Sequence, residues 1–154
     1  VNDENEFVRV RLTEGQRDVM YMNRMNPIAD MPGTGLVVFG QKTMQSFASA
    51  MDRINVARLV NYMRFNLDQL SRGFLFEQND KITRDNIKDA VERFCGGLVS
   101  NRGLYDFLVV CDESNNTPAR IDRNELWVDI AIQPVKSVEF IYIPLRIRNT
   151  GEEL

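Results

Sequence analysis

Apolar and polar positions alternate at both ends of the chain and follow a helical period in between. From Phe7 to Leu12, residues Val8, Val10 and Leu12 fall on one side and Phe7, Arg9 and Arg11 on the other, which predicts an extended strand. The period then changes. Thr13 with Gln16 three residues on has the pattern of a capping box, and Glu14 complements the positive end of a helix that should run to about Met25 and stop at Pro27. Pro32-Gly33-Thr34-Gly35 is a turn cluster, and the apolar run Leu36 to Phe39, bounded by Gly40, predicts a short buried strand.

The longest predicted helix runs from Asp52 to about Arg72. Arg58, Asn61, Arg64 and Asp68 form a narrow polar stripe, with Ile54, Ala57, Val60, Met63 and Leu67 on the other faces. Thr83 is placed as the cap of a second helix, with Ile87, Ala90, Val91, Phe94 and Cys95 as its apolar stripe and Gly96-Gly97 loosening its end. Tyr105 to Cys111 predicts a strand interrupted only by Asp106, and Asp112 to Pro118 a polar turn. Two alternating segments close the chain, Leu126 to Ile132 and Phe140 to Ile147, with Pro134 and Lys136 between them as a candidate hairpin. Pro144 lacks an amide hydrogen, so the last strand belongs at a sheet edge or bulge. Ile87, Val91, Phe94, Val109, Ile130 and Ile132 are the expected core, where Phe94→Ala would cost roughly 3–5 kcal/mol.

These elements predict one domain of the α/β class (α+β, mixed). A mixed β-sheet would carry two main helices and a short additional N-terminal helix, between strand-like terminal arms. The expected division is an arm strand at 1–12, a globular core at 13–137 and a second arm at 138–154.

Composition narrows the chemistry. With 154 residues, 44% of them hydrophobic and 27% charged, the chain can bury a real core. Its net charge of −3 lacks the basic excess of a dedicated nucleic-acid or acidic-membrane surface. The absence of histidine removes imidazole bases, Ser-His or Cys-His pairs and His-ligated zinc. Cys95 and Cys111, each in an apolar stretch, are expected to be reduced core residues rather than a disulfide. No apolar run reaches the roughly 20 residues of a membrane span, so a soluble chain is expected. The opening Val-Asn-Asp-Glu-Asn-Glu is unlike a signal peptide and reads as a linker, and Val at position 1 leads us to expect a processed product or a piece of something longer.

Several local patterns fail on mechanism. Gly35 to Thr43 superficially looks like a phosphate-binding loop, but Gln41 intrudes between Gly40 and Lys42, and four apolar residues form a strand where flexible amides are needed. Asp112, Ser114 and Asn116 have calcium-loop spacing without its glycine, and Arg123 stands where the bidentate Glu belongs. Asn115-Asn116-Thr117 is a glycosylation sequon only in a secreted chain. Met20, Met22, Met25 and Met31 read as adaptable packing. Ser46, Ser49 and Ser71 have no base to activate them, and no carboxylate pair predicts a cleft. No catalytic residue, cofactor or metal site is therefore assigned, and the strand-like ends favour β-augmentation between chains.

Asn26-Pro27-Ile28, Pro32 to Gly35, Phe39 to Thr43 and Asp52 to Leu59 together resemble the contractile tail sheath proteins of myophages. So do Leu75 to Asp80, Tyr105-Asp106-Phe107, Val110 to Asp112, and Asn116 to Glu125. The match runs from about residue 13 to 147, with the T-even-like branch the most similar. It implies the carboxy-terminal, tube-proximal domain of a sheath subunit, with outer domains missing. Ala57 departs from the pattern, since many relatives carry a second Arg beside the one matched by Arg58.

The resemblance implies a structural subunit rather than an enzyme, one that polymerises helically around a tail tube and contracts to drive it through the host envelope. It implies a homo-oligomer with neighbouring sheath subunits, contacts to the tail tube, baseplate and tail terminator proteins, no nucleic acid and no membrane. The location is the virion tail, assembled in the host cytoplasm. Phage-tail-like bacteriocins and type VI secretion sheaths belong to the same machine class. Val8, Val10, Leu12, Phe140, Ile141, Tyr142, Ile143, Leu145 and Ile147 are the candidate residues for strand exchange between subunits. Because tubes of this class offer an acidic outer surface, Arg120 and Arg123 are the first candidates to face the tube and Arg58 and Arg64 the second. A soluble α/β enzyme with an unrecognised site, or a non-contractile tube or adaptor protein, are the alternatives.

Overall fold

The computed structural model describes residues 11–139 and 141–144. Helix α1 (Glu14–Met22) starts on the predicted capping box: the Thr13 hydroxyl accepts from the Gln16 amide at 3.4 Å, and the Gln16 side chain accepts from the Thr13 amide at 2.9 Å. It ends three residues before Met25, where Arg24 turns left-handed at φ 64°. Strands β1 (Ile28–Met31) and β2 (Gly35–Val38) then form an antiparallel ribbon, with Ile28 opposite Val38 and Met31 opposite Gly35. The joining turn places Pro32 before Gly33, whose φ of 81° a side chain would oppose.

The run Leu36 to Phe39 is a strand but not a buried one. Leu36 and Val38 are each 66% exposed because only two strands pair and no layer covers their face. Strand β1 carries no period-2 signal in the sequence, its four residues being too short and mixed for one.

After a single 3-10 turn (Ala50–Asp52), helix α2 (Ile54–Arg72) packs against helix α3 (Lys81–Ser100). Two expectations about α3 are corrected. Its cap is Asp80, whose carboxylate accepts the Thr83 amide at 2.8 Å, while Thr83 itself is buried in the first turn. Gly96-Gly97 do not end it, since the helix continues to Ser100. The exposed face of α2 is also broad rather than narrow, for only Val56 and Met63 on that helix are buried.

Strand β3 (Leu104–Val110) pairs antiparallel with β4 (Asp129–Pro134), and the short helix α4 (Pro118–Ile121) lies between them in sequence. A register shift between Leu104 and Asp106 adds one residue to β3. That bulge lets Leu104 and Val109 both be buried, five positions apart, where strict alternation would send one of them outward. Leu108, between core residues, faces away and is 61% exposed.

The core joins Met63, Ile87, Val91, Cys95, Leu104 and Val109, with Phe94, Ile130 and Ile132 half-buried at its margin. Phe94 is therefore a boundary residue, its ring tilted against Tyr62 at 6.2 Å. Cys95 and Cys111 are both buried and free, and burial raises both thiol pKa values. The class is mixed α/β with two main helices and a short N-terminal one. Among the described residues its strands form two separate two-stranded antiparallel sheets.

The last two predicted strands need correction. β4 begins at Asp129 rather than Leu126, because the Trp127 amide donates to the Asn116 side chain at 2.7 Å instead of to a strand. Residues 141–144 form no strand, so the described residues contain no hairpin across Pro134. Val8, Val10, Phe140, Leu145 and Ile147 lie outside the described residues.

Candidate assembly interface

Two polar clusters and the exposed segment 141–143 make up the candidate site. The first cluster begins at Asn26. Its side chain accepts from the Lys42 amide at 2.9 Å and donates to the Lys42 carbonyl at 2.8 Å, so it substitutes for a strand partner. Gly40 is required by the same approach, since a Cβ there would meet Asn26 Oδ1 at 2.5 Å. The Lys42 ammonium lies 3.9 Å from the centre of the Tyr21 ring and donates to the Tyr21 carbonyl at 2.8 Å. Asn26 and the Gly40-Gln41-Lys42 block are thus one structural unit, and sequence reasoning gave neither a role.

Arg53, just before α2, extends this unit toward the carboxyl end. Its guanidinium grips Glu139 in a two-pronged ion pair and reaches Asp52 at 3.0 Å. Burial pushes the Glu139 carboxyl up, but hydrogen bonds from Arg53 and Tyr21 outweigh it and hold the group below its ordinary value. Tyr21 is raised by burial and by its bond to Glu139. Asn55 Nδ2 donates to the Val135 carbonyl at 3.2 Å, and the Val135 amide donates to the Gly103 carbonyl at 3.1 Å. Segment 135–139 is clamped at both ends of its length.

Past the clamp, residues 141–143 are apolar and open. Ile141, Tyr142 and Ile143 are 78%, 86% and 76% exposed. At the amino end Leu12 is half-buried and its carbonyl accepts from Arg17 Nη1 at 3.0 Å.

The second cluster surrounds the arginines at 120 and 123. Asn115 and Asn116 are buried and tie residues 110–116 to Trp127: Asn116 Nδ2 donates to the Trp127 carbonyl at 2.9 Å and Asn115 Nδ2 to the Asp129 carboxylate at 2.9 Å. Arg120 stacks over the Trp127 ring at 4.1 Å and donates to the Asn115 carbonyl. Arg123 holds Glu125 through two contacts of 2.9 and 3.2 Å, and Glu125 accepts from the Trp127 indole at 3.0 Å. These bonds to Arg123 and Trp127 lower the Glu125 pKa to about 2. The segment proposed from sequence to face the tube is thus a folded turn whose two arginines already have internal partners.

Arg58 and Arg64 differ. Both are exposed and neither makes an ion pair among the described residues. Six residues apart, they flank a face of α2 opposite the core-facing Met63 and Leu67, and Phe65, 65% exposed, lies between them. The four candidate arginines therefore form two groups of unlike character.

The described residues hold no cluster of His, Cys, Asp or Glu suited to a metal ion, and no helix among them is long and apolar enough to cross a membrane. Residues 47–148 match the family model of the phage tail sheath C-terminal domain. The chain belongs to this tail sheath family. It is 41% identical over 144 residues to the tail sheath protein of Vibrio phage KVP40 and 37% identical over 144 residues to that of Enterobacteria phage T4. Each match takes in 94% of this chain but 22% of the relative, so the chain spans about a fifth of the length of those sheath proteins.

Solved sheath structures share the fold. The contracted PVC sheath complex of an extracellular contractile injection system superposes with a TM-score of 0.82 at 20% identity, covering 90% of this chain and 41% of that one. The contracted helical sheath of the anti-feeding prophage gives 0.79 at 22% identity, covering 89% of this chain and 40% of that one.

Proposed function

We propose that this sheath domain is the tube-proximal part of a contractile sheath subunit, stacking helically with copies of itself around a tail tube. On this reading residues 13–137 are the rigid core, held to residues 138 and 139 by the Arg53–Glu139 clamp, and residues 1–12 and the chain beyond the clamp to 154 are arms that pair with neighbouring subunits. The observation that carries it is the Arg53–Glu139 clamp with exposed Ile141, Tyr142 and Ile143 two to four residues further on. An anchored exit with three consecutive open apolar residues is a segment whose cover lies on another molecule.

Contraction then needs no bond-breaking step and no cofactor. Free energy stored in an extended lattice is released as packing between subunits improves, and linked arms let subunits rotate without dissociating. The partners are neighbouring subunits, the tube, the baseplate and the terminator, in a virion tail assembled in the host cytoplasm; the subunit is not an enzyme. Electron microscopy of the full subunit tests this reading: regular tubular polymers are expected, and deletion of residues 1–12 should leave a folded protein that no longer polymerises. Normal polymers after that deletion would refute arm exchange at the amino end.

The tube contact falls on α2 rather than on the Arg120–Arg123 turn, because Arg58 and Arg64 have uncommitted charge and a neighbouring exposed Phe65. Many such weak contacts along a tube add through avidity and weaken with salt. Arg58→Glu with Arg64→Glu should polymerise yet fail to assemble in register on tubes, whereas Arg120→Glu with Arg123→Glu should show the smaller defect. The reverse order would return the contact to the turn.

A further inference from the structure

We propose that Phe76 of one copy of this chain seats in the cleft beside Phe39 of a second copy. Phe76 sits in the loop joining α2 to α3 and is fully exposed, at 103%. Its backbone occupies the left-handed region at φ 72°, which a bulky residue adopts only at a cost. The loop holds that conformation firmly. Phe74 packs against the core, the Glu77 amide donates to the Phe74 carbonyl at 3.3 Å, and Asn79 Nδ2 donates to the Glu125 carbonyl at 2.9 Å. A fixed turn therefore presents an aromatic ring to solvent, with Leu75 beside it 62% exposed.

A matching recess lies at the far end of the same molecule. Tyr21, Pro27, Val38, Phe39 and Val138 line an open cleft of about 290 Å³, room for one aromatic ring and part of its aliphatic neighbour. Val38 and Phe39 are 66% and 53% exposed, so their surface is available. Arg17 stands on the rim with its guanidinium 5.8 Å from the Phe39 ring centre and no carboxylate partner among the described residues. Glu77, next to Phe76, is exposed and also has no cation among them. Seating the ring brings these two charges together; Asp18 and Glu139 also line the cleft, Glu139 already paired with Arg53, and Asp18 limits what the pairing contributes.

Knob and cleft sit near opposite ends of α2, whose 19 residues span about 28 Å. Two different surfaces on one chain make a heterologous contact, which repeats head to tail into rings or helices rather than closing a dimer. This is why the occupant is a second copy. The inference rests on the proposed stacking of copies, but its test does not require tubular polymers.

Phe76→Cys and Val38→Cys versions of the 154-residue chain, mixed under oxidising conditions, should form a mixed disulfide severalfold faster than Phe76→Cys mixed with Arg64→Cys. The native Cys95 and Cys111 are buried and stay out of the reaction. In parallel, Phe76→Gly should weaken self-association in sedimentation by about tenfold or more while leaving the melting temperature unchanged or raised, because glycine accepts the left-handed backbone. Equal cross-linking rates, preferential Phe76→Cys self-linking, or unaltered self-association would each overturn the proposal. If tubes form but the cross-link does not, this inference alone falls; if the full subunit makes no tubes, the stacking reading falls separately.

Discussion

The two halves of this domain are held together by different physics. In the α2–α3–β3–β4 half, Met63, Ile87, Val91, Cys95, Leu104 and Val109 exclude water from a contiguous apolar cluster. In the α1–β1–β2 half, α1 buries no residue at all, and Ala29 is the one buried residue of β1 and β2. That half is laced instead by polar links: Asn26 to Lys42, Lys42 to Tyr21, and Arg24 to the Ser46 carbonyl at 2.7 Å. It leaves Val19, Met22, Ile28, Leu36 and Val38 more than half exposed. One half is packed around an apolar core. Polar lacing shapes the other half while leaving its apolar faces open.

The contrast is broken most severely by a cavity. Leu104→Ala, at a site 2% exposed, should cost about 2–5 kcal/mol in urea unfolding and destabilise both halves together. Phe94→Ala should cost less, about 1–3 kcal/mol, because Phe94 is only half-buried. A loss as large as that of Leu104→Ala would show the core reaching further up α3 than the contacts indicate.

Asn26→Ala addresses the laced half. It strands the Lys42 amide and carbonyl, so a loss of about 1–3 kcal/mol is expected, confined to the ribbon. Hydrogen exchange should speed up in β1 and β2 while α3 keeps its protection. Uniform loss of protection would mean the two halves unfold as one.

Glu139→Gln should have a smaller effect, about 1 kcal/mol or less, since the pair with Arg53 is only partly buried. Its carboxyl is held below the ordinary range, so the contribution is present above the unfolded pKa and disappears as pH falls through the folded one. Glu139→Gln should therefore flatten the acid limb of the pH–stability curve. The smallest effect is at Glu125, whose pKa is about 2 against an ordinary 4.5. The same sign applies: its tie to Arg123 and Trp127 is intact above pH 4.5 and lost toward pH 2. Trp127 is the sole tryptophan, so its fluorescence should follow that loss directly, and Glu125→Gln should remove the transition.

What the chain settles locally was legible in its residues. The Thr13–Gln16 box, the two long helical periods, the Pro32-Gly33 turn and the strand before Cys111 need only neighbours a few positions away, and each formed close to its predicted place. The tail sheath family was likewise readable from ordered blocks such as Asp52 to Leu59 and Asn116 to Glu125. Tertiary structure alone decided which apolar runs are covered. Leu36 to Val38 is as apolar as a buried strand but has no layer behind it, and Gly96-Gly97 stays helical because packing on β3 outweighs its weak propensity. Tertiary structure also decided which charges are free: Arg120 and Arg123 looked solvated until Trp127 and Glu125 folded back onto them, whereas Arg58 and Arg64 kept their charge because no acidic partner among the described residues comes near. Burial depends on residues distant in sequence, and pairing on how a turn folds even where, as for Arg123 and Glu125, the partners are two positions apart; periodicity carries no record of either.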